Sequence, residues 1–196
     1  HGLGKTPAVL ITKNRSDSTD DSNWVWWHGA RTNGFASDAN YIYLNRDGAG
    51  GSTSGGIFYN GTQMNSTTYG LLGGNVNTNK SGDNFLCLAF AEIEGYSKMG
   101  VYTGNASTDG TYVFTGFAPA WLLLKRFSDS GGWQVLDNKR NTFNEVDRYL
   151  LPNLANAEYD GSTLSPSIGI DFLSSGFKLR TTESVYNSNN GTFLYM

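Results

Sequence analysis

Short apolar and aromatic runs alternate along the chain with clusters of Gly, Asn, Ser and Asp. Runs of this kind, rich in aromatic and β-branched residues and bounded by turn-forming residues, are typical of short β-strands. The clearest are AWLLLKR, WQVLD, WVWWH, YIYLN, YLLPN and NFLCLAFAEIE. AWLLLKR is a continuous apolar run with a charged end, which predicts a strand buried on both faces. The pattern therefore predicts an all-β fold.

Two further segments each predict a pair of strands. DFLSSGFKLRT splits at Ser174-Ser175-Gly176 into a hairpin, and GVYTGNASTDGTYVFTG holds two strands around a turn at residues 105–110. The segment NEVDRYLL fits either a strand or two turns of helix that Pro152 would stop. About seven strands arise in each half of the chain, the number expected of a small antiparallel β-sandwich.

The second half of the chain repeats the first. PAVLITKNRSDS near the start corresponds to PAWLLLKRFSDS in the second half. Further matching pairs are Lys13 with Lys125, Trp24 with Trp133, Arg31 with Arg140, Tyr41 with Tyr149, and Asn45 with Asn153. We predict two tandem pseudo-repeats, residues 1–95 and 96–196, each a β-sandwich; a single merged sandwich is the alternative. Because the chain starts with His rather than Met, we expect it to be processed or to be a fragment of a longer protein.

Charge and composition exclude several function classes. The formal net charge is −3 and no basic face is evident, so we expect no nucleic-acid partner. No apolar run approaches the roughly 18 residues that span a bilayer, so we expect no membrane insertion. Cys87 is the only cysteine, which excludes an internal disulfide, and its place in FLCLAF predicts a small core residue.

The candidates for catalysis are weak, and we expect the protein not to be an enzyme. Glu92 and Glu94 in FAEIEG are the only carboxylates at strand spacing, where alternate residues share a face. Retaining glycosidases use a comparable pair of acids, but this segment has no third acid and Gly95 opens a turn. His1 and His28 are the only histidines and, with one cysteine, cannot assemble a zinc site.

One loop offers a candidate for calcium. Asp17, Asp20 and Asp21 in SDSTDDSN form an acidic, oxygen-rich loop, and Ca²⁺ takes such ligands. The spacing does not match an EF-hand loop, and the second repeat keeps only Asp129. The alternative is a solvated turn whose Asp and Ser side chains cap their own backbone. Calcium is therefore the one cofactor for which the sequence offers ligands.

Aromatic residues are the strongest candidates for contacts with a ligand. In WVWW, successive residues point to opposite faces of a strand, so Trp24 and Trp26 lie on one face and Trp27 on the other. Trp24 has a repeat partner in Trp133, which predicts a core position for it and leaves Trp27 as a surface platform; core packing of Trp27 is the alternative. Aromatic faces stack on sugar rings, and Arg31 and Asn33 would fix the hydroxyls by hydrogen bonds. Trp27, Arg31 and Asn33 are thus the predicted glycan site.

Four segments carry a family resemblance: HGLGKTPAVLITKNRS, GDNFLCLAFAEIEGYSKMGVYTGN, DGTYVFTGFAPAWLLLKR and IDFLSSGFKLR. Together they resemble a repeat domain of tail-fibre and virion proteins of marine bacteriophages, related in pattern to SPRY and concanavalin A-like sandwiches. The resemblance covers nearly the whole chain. It implies a β-sandwich of the concanavalin A-like or jelly-roll type, a place in the virion outside the cell, and a structural or host-recognition role. It implies no particular catalytic or binding residues.

The sequence therefore favours a non-enzymatic bacteriophage virion protein, a tail-fibre or surface module that recognises host-surface glycans. The alternative is a secreted carbohydrate-binding module or a glycan-active enzyme on a concanavalin-like sandwich. A compact cleft with two converging acids would favour the enzyme, whereas a flat or protomer-facing surface would favour the virion protein.

The segments near the two termini predict assembly. AVLITK and FLYM are apolar and contain no proline. An unpaired strand edge exposes its N–H and C=O groups and invites pairing with another chain. We therefore expect at least one terminal strand to be covered by a neighbouring segment or subunit. We also expect the native chain to form a homo-oligomer among other virion subunits.

Overall fold

The computed structural model describes residues 1–17, 22–29, 40–52, 64–71 and 74–196. The chain divides into two compact units, His1–Glu92 and Ile93–Met196, close to the boundary that the repeat predicts. Nearly all regular structure is β, and α1 (Ser184–Asn187) is the single α-helical turn among the described residues. The predicted all-β class is confirmed.

The first unit is built on one antiparallel sheet. Its strands are β1 (Val9–Asn14), β2 (Trp24–His28), β3 (Asn40–Tyr43), β4 (Gly51–Ser52) and β5 (Phe85–Phe90). Their order in the sheet is β4-β3-β2-β1-β5. One face carries a core cluster formed by Leu10, Val25, Trp27 and Met64, with Tyr41, Tyr43, Tyr69, Leu71, Cys87 and Ala89 packed against it. The apolar run of β1 thus lies between β2 and β5 in the sheet, where it is buried along most of its length.

The second unit contains two antiparallel sheets. Its strands are β6 (Gly100–Thr103), β7 (Tyr112–Phe114), β8 (Trp121–Arg126), β9 (Trp133–Asp137), β10 (Arg148–Leu150), β11 (Tyr159–Asp160), β12 (Ile170–Leu173), β13 (Gly176–Leu179) and β14 (Thr192–Tyr195). One sheet has six strands in the order β11-β10-β9-β8-β14-β6, and the other has three in the order β12-β13-β7.

The two sheets of the second unit share one hydrophobic core, which makes this unit a β-sandwich. The six-stranded sheet contributes Leu124, Tyr149 and Phe193 to the core cluster, and the three-stranded sheet contributes Ile170 and Phe177. All five side chains are buried. Because successive strand residues point to opposite faces, this core fixes which residues of the three-stranded sheet point away from it.

Several predicted elements can be checked strand by strand. The hairpin in DFLSSGFKLRT is confirmed, since β12 and β13 pair antiparallel with Leu173 opposite Gly176. NEVDRYLL forms the strand β10 rather than a helix, because Tyr149 enters the core while its two neighbours stay half-buried. GVYTGNASTDGTYVFTG holds two strands, but β6 and β7 belong to different sheets. Residues 105–110 therefore connect the two layers of the sandwich.

Several residues that the repeat pairs make the same contacts within each unit. Lys13 lies opposite Trp24 in the β1–β2 register, and Lys125 lies opposite Trp133 in the β8–β9 register. The backbone N–H of each tryptophan donates to an asparagine side chain at 3.0 Å, and these acceptors are Asn45 and Asn153. The tandem pseudo-repeat as a whole stays a prediction.

The strands near the termini lie inside sheets. β1 pairs with β2 on one side and β5 on the other, and β14 lies between β8 and β6. Both predicted terminal strands are thus covered by neighbouring segments of the same chain. The open edges on which the oligomer argument rested are therefore absent at these two strands, and assembly stays a prediction without that support.

Candidate functional site

The face of the three-stranded sheet that points away from the core is the strongest candidate site. We call it the outer face, and its members are Tyr112 and Phe114 on β7, Gly176 and Lys178 on β13, and Asp171 and Leu173 on β12. The strand register places these residues in two rows across the sheet. One row is Asp171–Lys178–Tyr112, and the other is Leu173–Gly176–Phe114.

The sequence of β7 produces an aromatic outer face. Val113 is the residue of YVF that enters the core, while its two neighbours point outward. Tyr112 is 43% exposed and Phe114 is 66% exposed. The Tyr112 hydroxyl lies 2.8 Å from Ser175 Oγ, a contact that limits the freedom of its ring. Two aromatic side chains are therefore held at the surface, two positions apart on one strand.

A glycine leaves the surface beside Phe114 without a protruding side chain. Gly176 lies directly opposite Phe114 in the β13–β7 register. A Cβ at this position would lie 2.0 Å from the backbone oxygen of Val113, closer than any side chain can come. Glycine is thus the residue that permits this close strand approach. As a consequence, the position opposite Phe114 on β13 carries bare backbone rather than a side chain.

Charged side chains occupy the other end of the outer face. Lys178 Nζ lies 2.5 Å from Asp109 Oδ1, and Arg180 Nε lies 2.6 Å from Asp171 Oδ2. The hydrogen bond and charge of Lys178 hold the pKa of the Asp109 carboxyl below its usual value. The hydrogen bond that Arg180 donates to Asp171 raises the pKa of Arg180. Both cations are therefore engaged by carboxylates beside the aromatic rings.

A buried asparagine supports the loop that carries Asp109. The Asn187 side-chain amide donates to the backbone oxygens of Thr181 and Ser107, at 2.8 and 2.9 Å, and to Asn105 Oδ1 at 3.0 Å. Its oxygen accepts the backbone N–H of Asn105 at 2.9 Å. Asn187 is fully buried in this position. It thus fixes the 105–109 loop from beneath, on the side of the sandwich core.

The two edges of the three-stranded sheet differ. At the β12 edge, the Asn144 amide donates to the Phe172 backbone oxygen and its oxygen accepts the Phe172 N–H, at 3.0 and 2.9 Å. Val146 pairs with Ile170 in the same segment. In the described part of the chain, no strand pairs with the far edge of β7. The aromatic side of the outer face is therefore also its open side.

The predicted platform at Trp27 is wrong. Trp27 is only 4% exposed, and it packs with Leu10, Val25 and Met64 in the core of the first unit. The strand alternation placed it correctly on the face opposite Trp24. The prediction that Trp24 is the core residue and Trp27 the surface residue is wrong, because Trp27 is buried and Trp24 is half-buried.

The other two members of the predicted glycan site, Arg31 and Asn33, lie outside the described residues. The same holds for two of the three predicted calcium ligands, Asp20 and Asp21. The third, Asp17, forms an ion pair with Lys80 at 3.3 Å. In the residues described, no group of three or more His, Cys, Asp or Glu side chains is placed to hold a metal ion. The calcium site stays a prediction.

The acid pair does not lie on a strand. β5 ends at Phe90, and Glu94 stands in the turn that follows. The expectation that Glu92 and Glu94 share a strand face is wrong, because the chain leaves the sheet before reaching them. Cys87 lies at the margin of the first core, where burial raises the pKa of its thiol. A raised pKa disfavours the reactive thiolate form of the side chain.

A second charged cluster joins β9, β10 and β11. Arg140 contacts Asp137 and lies 2.8 Å from Glu158. Arg148 lies 2.8 Å from Asp160 and 3.7 Å from Glu158. Each carboxylate of this cluster contacts a guanidinium group, so the cluster links strand ends to one another. Trp121, which is 44% exposed, lies opposite Asp137 in the β8–β9 register. Because the ion pairs of this cluster hold strand ends together, we assign it a structural role.

The sequence did not predict the outer face as a site.

A family model described as a domain of unknown function, DUF7483, matches residues 1–196.

The chain belongs to the DUF7483 family.

No curated protein matches the chain, and no solved structure matches it. Among the described residues, no helix has the length and apolar character needed to cross a membrane. The family description assigns no activity, so the function of this DUF7483 chain has to be argued from the outer face.

Proposed function

We propose that this DUF7483 chain is a non-enzymatic module of a bacteriophage virion, a tail-fibre or surface protein, that binds host-surface glycans. The observation that carries the glycan part is the pair of exposed aromatic rings on the outer face. The virion part rests on the four sequence segments that resemble phage tail-fibre and virion domains.

Exposed aromatics of this kind need an explanation. Soluble proteins seldom leave large apolar groups clustered at the surface unless they contact a ligand or partner. Tyr112 and Phe114 are exposed although the core beneath them is complete, with Val113 and Phe177 fully enclosed. The apolar face of a sugar ring fits against such aromatic rings, while its hydroxyls need polar partners nearby.

The polar partners lie beside the rings. Lys178 stands opposite Tyr112 in the register and Asp171 stands opposite Lys178. Carboxylates accept hydrogen bonds from hydroxyls, and ammonium and guanidinium groups donate to them. The outer face therefore combines the two kinds of contact by which proteins hold sugars.

A glycan array tests the binding part. The full 196-residue chain, labelled away from the outer face, should bind a subset of bacterial-surface oligosaccharides. The double variant Tyr112→Ala, Phe114→Ala should lose that binding while keeping the circular dichroism spectrum of the unsubstituted chain. Equal binding by the two proteins would refute the site, and a blank array for the unsubstituted chain would refute the function.

Mass spectrometry of purified particles tests the virion part. In particles produced by cells that express this gene, the chain should be present at a constant copy number through density-gradient purification. Light scattering on the native protein should give the mass of an oligomer. Absence from the particles, combined with glycan binding, would favour the alternative of a secreted carbohydrate-binding module.

A further inference from the structure

The charges of the outer face are almost balanced. Three carboxylates, those of Asp109, Glu145 and Asp171, lie around two cations, Lys178 and Arg180. Asp109 Oδ1 also lies 3.9 Å from the Arg180 guanidinium. The set therefore carries one excess negative charge, and each cation already has a carboxylate within ion-pairing distance.

This balance disfavours an acidic ligand. A sugar carboxylate, sulfate or phosphate would compete with Asp109 for Lys178 or with Asp171 for Arg180. It would also approach a face of the same sign of charge, which raises the free energy of binding.

A neutral sugar meets neither obstacle. A hydroxyl group both donates and accepts hydrogen bonds, so one hydroxyl can contact an ammonium group and the carboxylate that pairs with it. The Lys178–Asp109 and Arg180–Asp171 pairs can therefore stay intact while they bind hydroxyls. Charged hydrogen-bonding groups of this kind give the stronger contacts to a ligand.

The aromatic rings set the length and direction of the ligand. Tyr112 and Phe114 are alternate residues of one strand, so their positions along β7 are about 7 Å apart. Tyr112 has Lys178 beside it, whereas Phe114 has the bare backbone of Gly176. One sugar can thus stack and hydrogen-bond at Tyr112, while the next has room to lie flat beside Phe114.

We infer that the outer face binds an uncharged oligosaccharide of at least two sugar units that lies along β7, with its hydroxyls at the Tyr112 end on the Lys178–Asp109 pair. This inference rests on the proposed function and names the ligand class of the same site.

Calorimetry on the full chain tests this inference. The probes are maltotetraose, cellotetraose and N,N′-diacetylchitobiose as neutral sugars, tetragalacturonate and sialyllactose as acidic ones, and the strongest neutral and acidic binders from the array. We expect binding to neutral members only, with less than about a twofold change in Kd between about 50 and about 500 mM salt, because no net charge is neutralised.

Two lysine variants, one at the site and one away from it, provide a matched test and control. Lys178→Met should weaken neutral-sugar binding about tenfold or more, as expected on loss of a hydrogen bond to a charged group. Lys139→Met, at an exposed lysine in the turn after β9, should leave Kd unchanged. Tighter binding of acidic sugars that weakens with salt would overturn the inference and leave the glycan function standing. No binding of any sugar, on the array or in solution, would overturn both.

Discussion

The inner and outer faces of the three-stranded sheet are built from alternate residues of the same segments, yet they differ in composition. The inner face carries Val113, Phe177 and Leu179, all buried in the sandwich core. The outer face carries Tyr112 and Phe114, both exposed, beside paired charges. The comparison separates two uses of an aromatic ring: Phe177 holds the sandwich together, whereas the exposed rings add little to folding and are free to contact a ligand.

The largest expected effect is on the inner face. Phe177→Ala should lower the free energy of unfolding by about 3–5 kcal/mol, because it removes a fully buried ring and leaves a cavity between the two sheets. Urea denaturation followed by tryptophan fluorescence measures the change. A loss below about 1 kcal/mol would contradict the role of Phe177 as a core residue.

A smaller effect is expected beneath the outer face. Asn187→Ala should cost about 1–3 kcal/mol, because the backbone groups of Asn105, Ser107 and Thr181 lose a buried partner. Hydrogen exchange should also accelerate at the amide of Asn105. Asn156→Ala, at an exposed asparagine, serves as the control and should change neither quantity. Unchanged exchange at Asn105 would mean that the loop is held by other contacts.

On the outer face, removal of a ring should hardly affect folding. Phe114→Ala should change the free energy of unfolding by no more than about 0.5 kcal/mol, the range of ordinary surface substitutions. The same denaturation experiment compares it with Phe177→Ala, the identical substitution on the opposite face of the same sheet. If the two variants lost similar stability, the contrast between the faces would not hold.

The smallest effect concerns the Asp109 carboxyl, whose pKa is lowered by Lys178. A lowered pKa in the folded state means that the ionised form stabilises the fold above the unfolded pKa. This contribution is lost as the pH falls through the folded pKa. Lys178→Met should move the pKa of Asp109 up toward its ordinary value, measured by carboxyl carbon NMR titration. An unchanged pKa would show that the Lys178–Asp109 pair does not persist in solution.

Much of the fold follows from local patterns. AWLLLKR, WQVLD and the hairpin in DFLSSGFKLRT could be predicted, because continuous apolar runs and turn residues specify strands directly. The repeat also matches Lys13 with Lys125 and Trp24 with Trp133, and in the structure each lysine lies opposite its tryptophan. Which strands share a sheet could not be predicted, since β6 and β7 are neighbours in sequence but lie in different layers.

The candidate site could not be found in the same way. In YVF, the small residue Val113 enters the core and the two aromatics stay outside, the reverse of the usual preference for large apolar residues in the interior. In GFKLR, by contrast, Phe and Leu alternate with Lys and Arg, and the two apolar residues enter the core. Pairing that side with β7 requires the strand register, which only the structure provides. The prediction at Trp27 failed for a related reason, because both faces of WVWW are aromatic and the pattern does not distinguish them.

The most direct measurement is the affinity of two matched tyrosine variants for the glycan selected on the array. Tyr112→Ala removes a ring from the outer face, whereas Tyr96→Ala removes a ring that is 77% exposed and lies in the turn after β5. By calorimetry on the full chain, Tyr112→Ala should weaken binding about tenfold or more, the effect of a central aromatic contact, and Tyr96→Ala should leave Kd unchanged. Equal affinities for the two variants would contradict the claim that the outer face is the binding site.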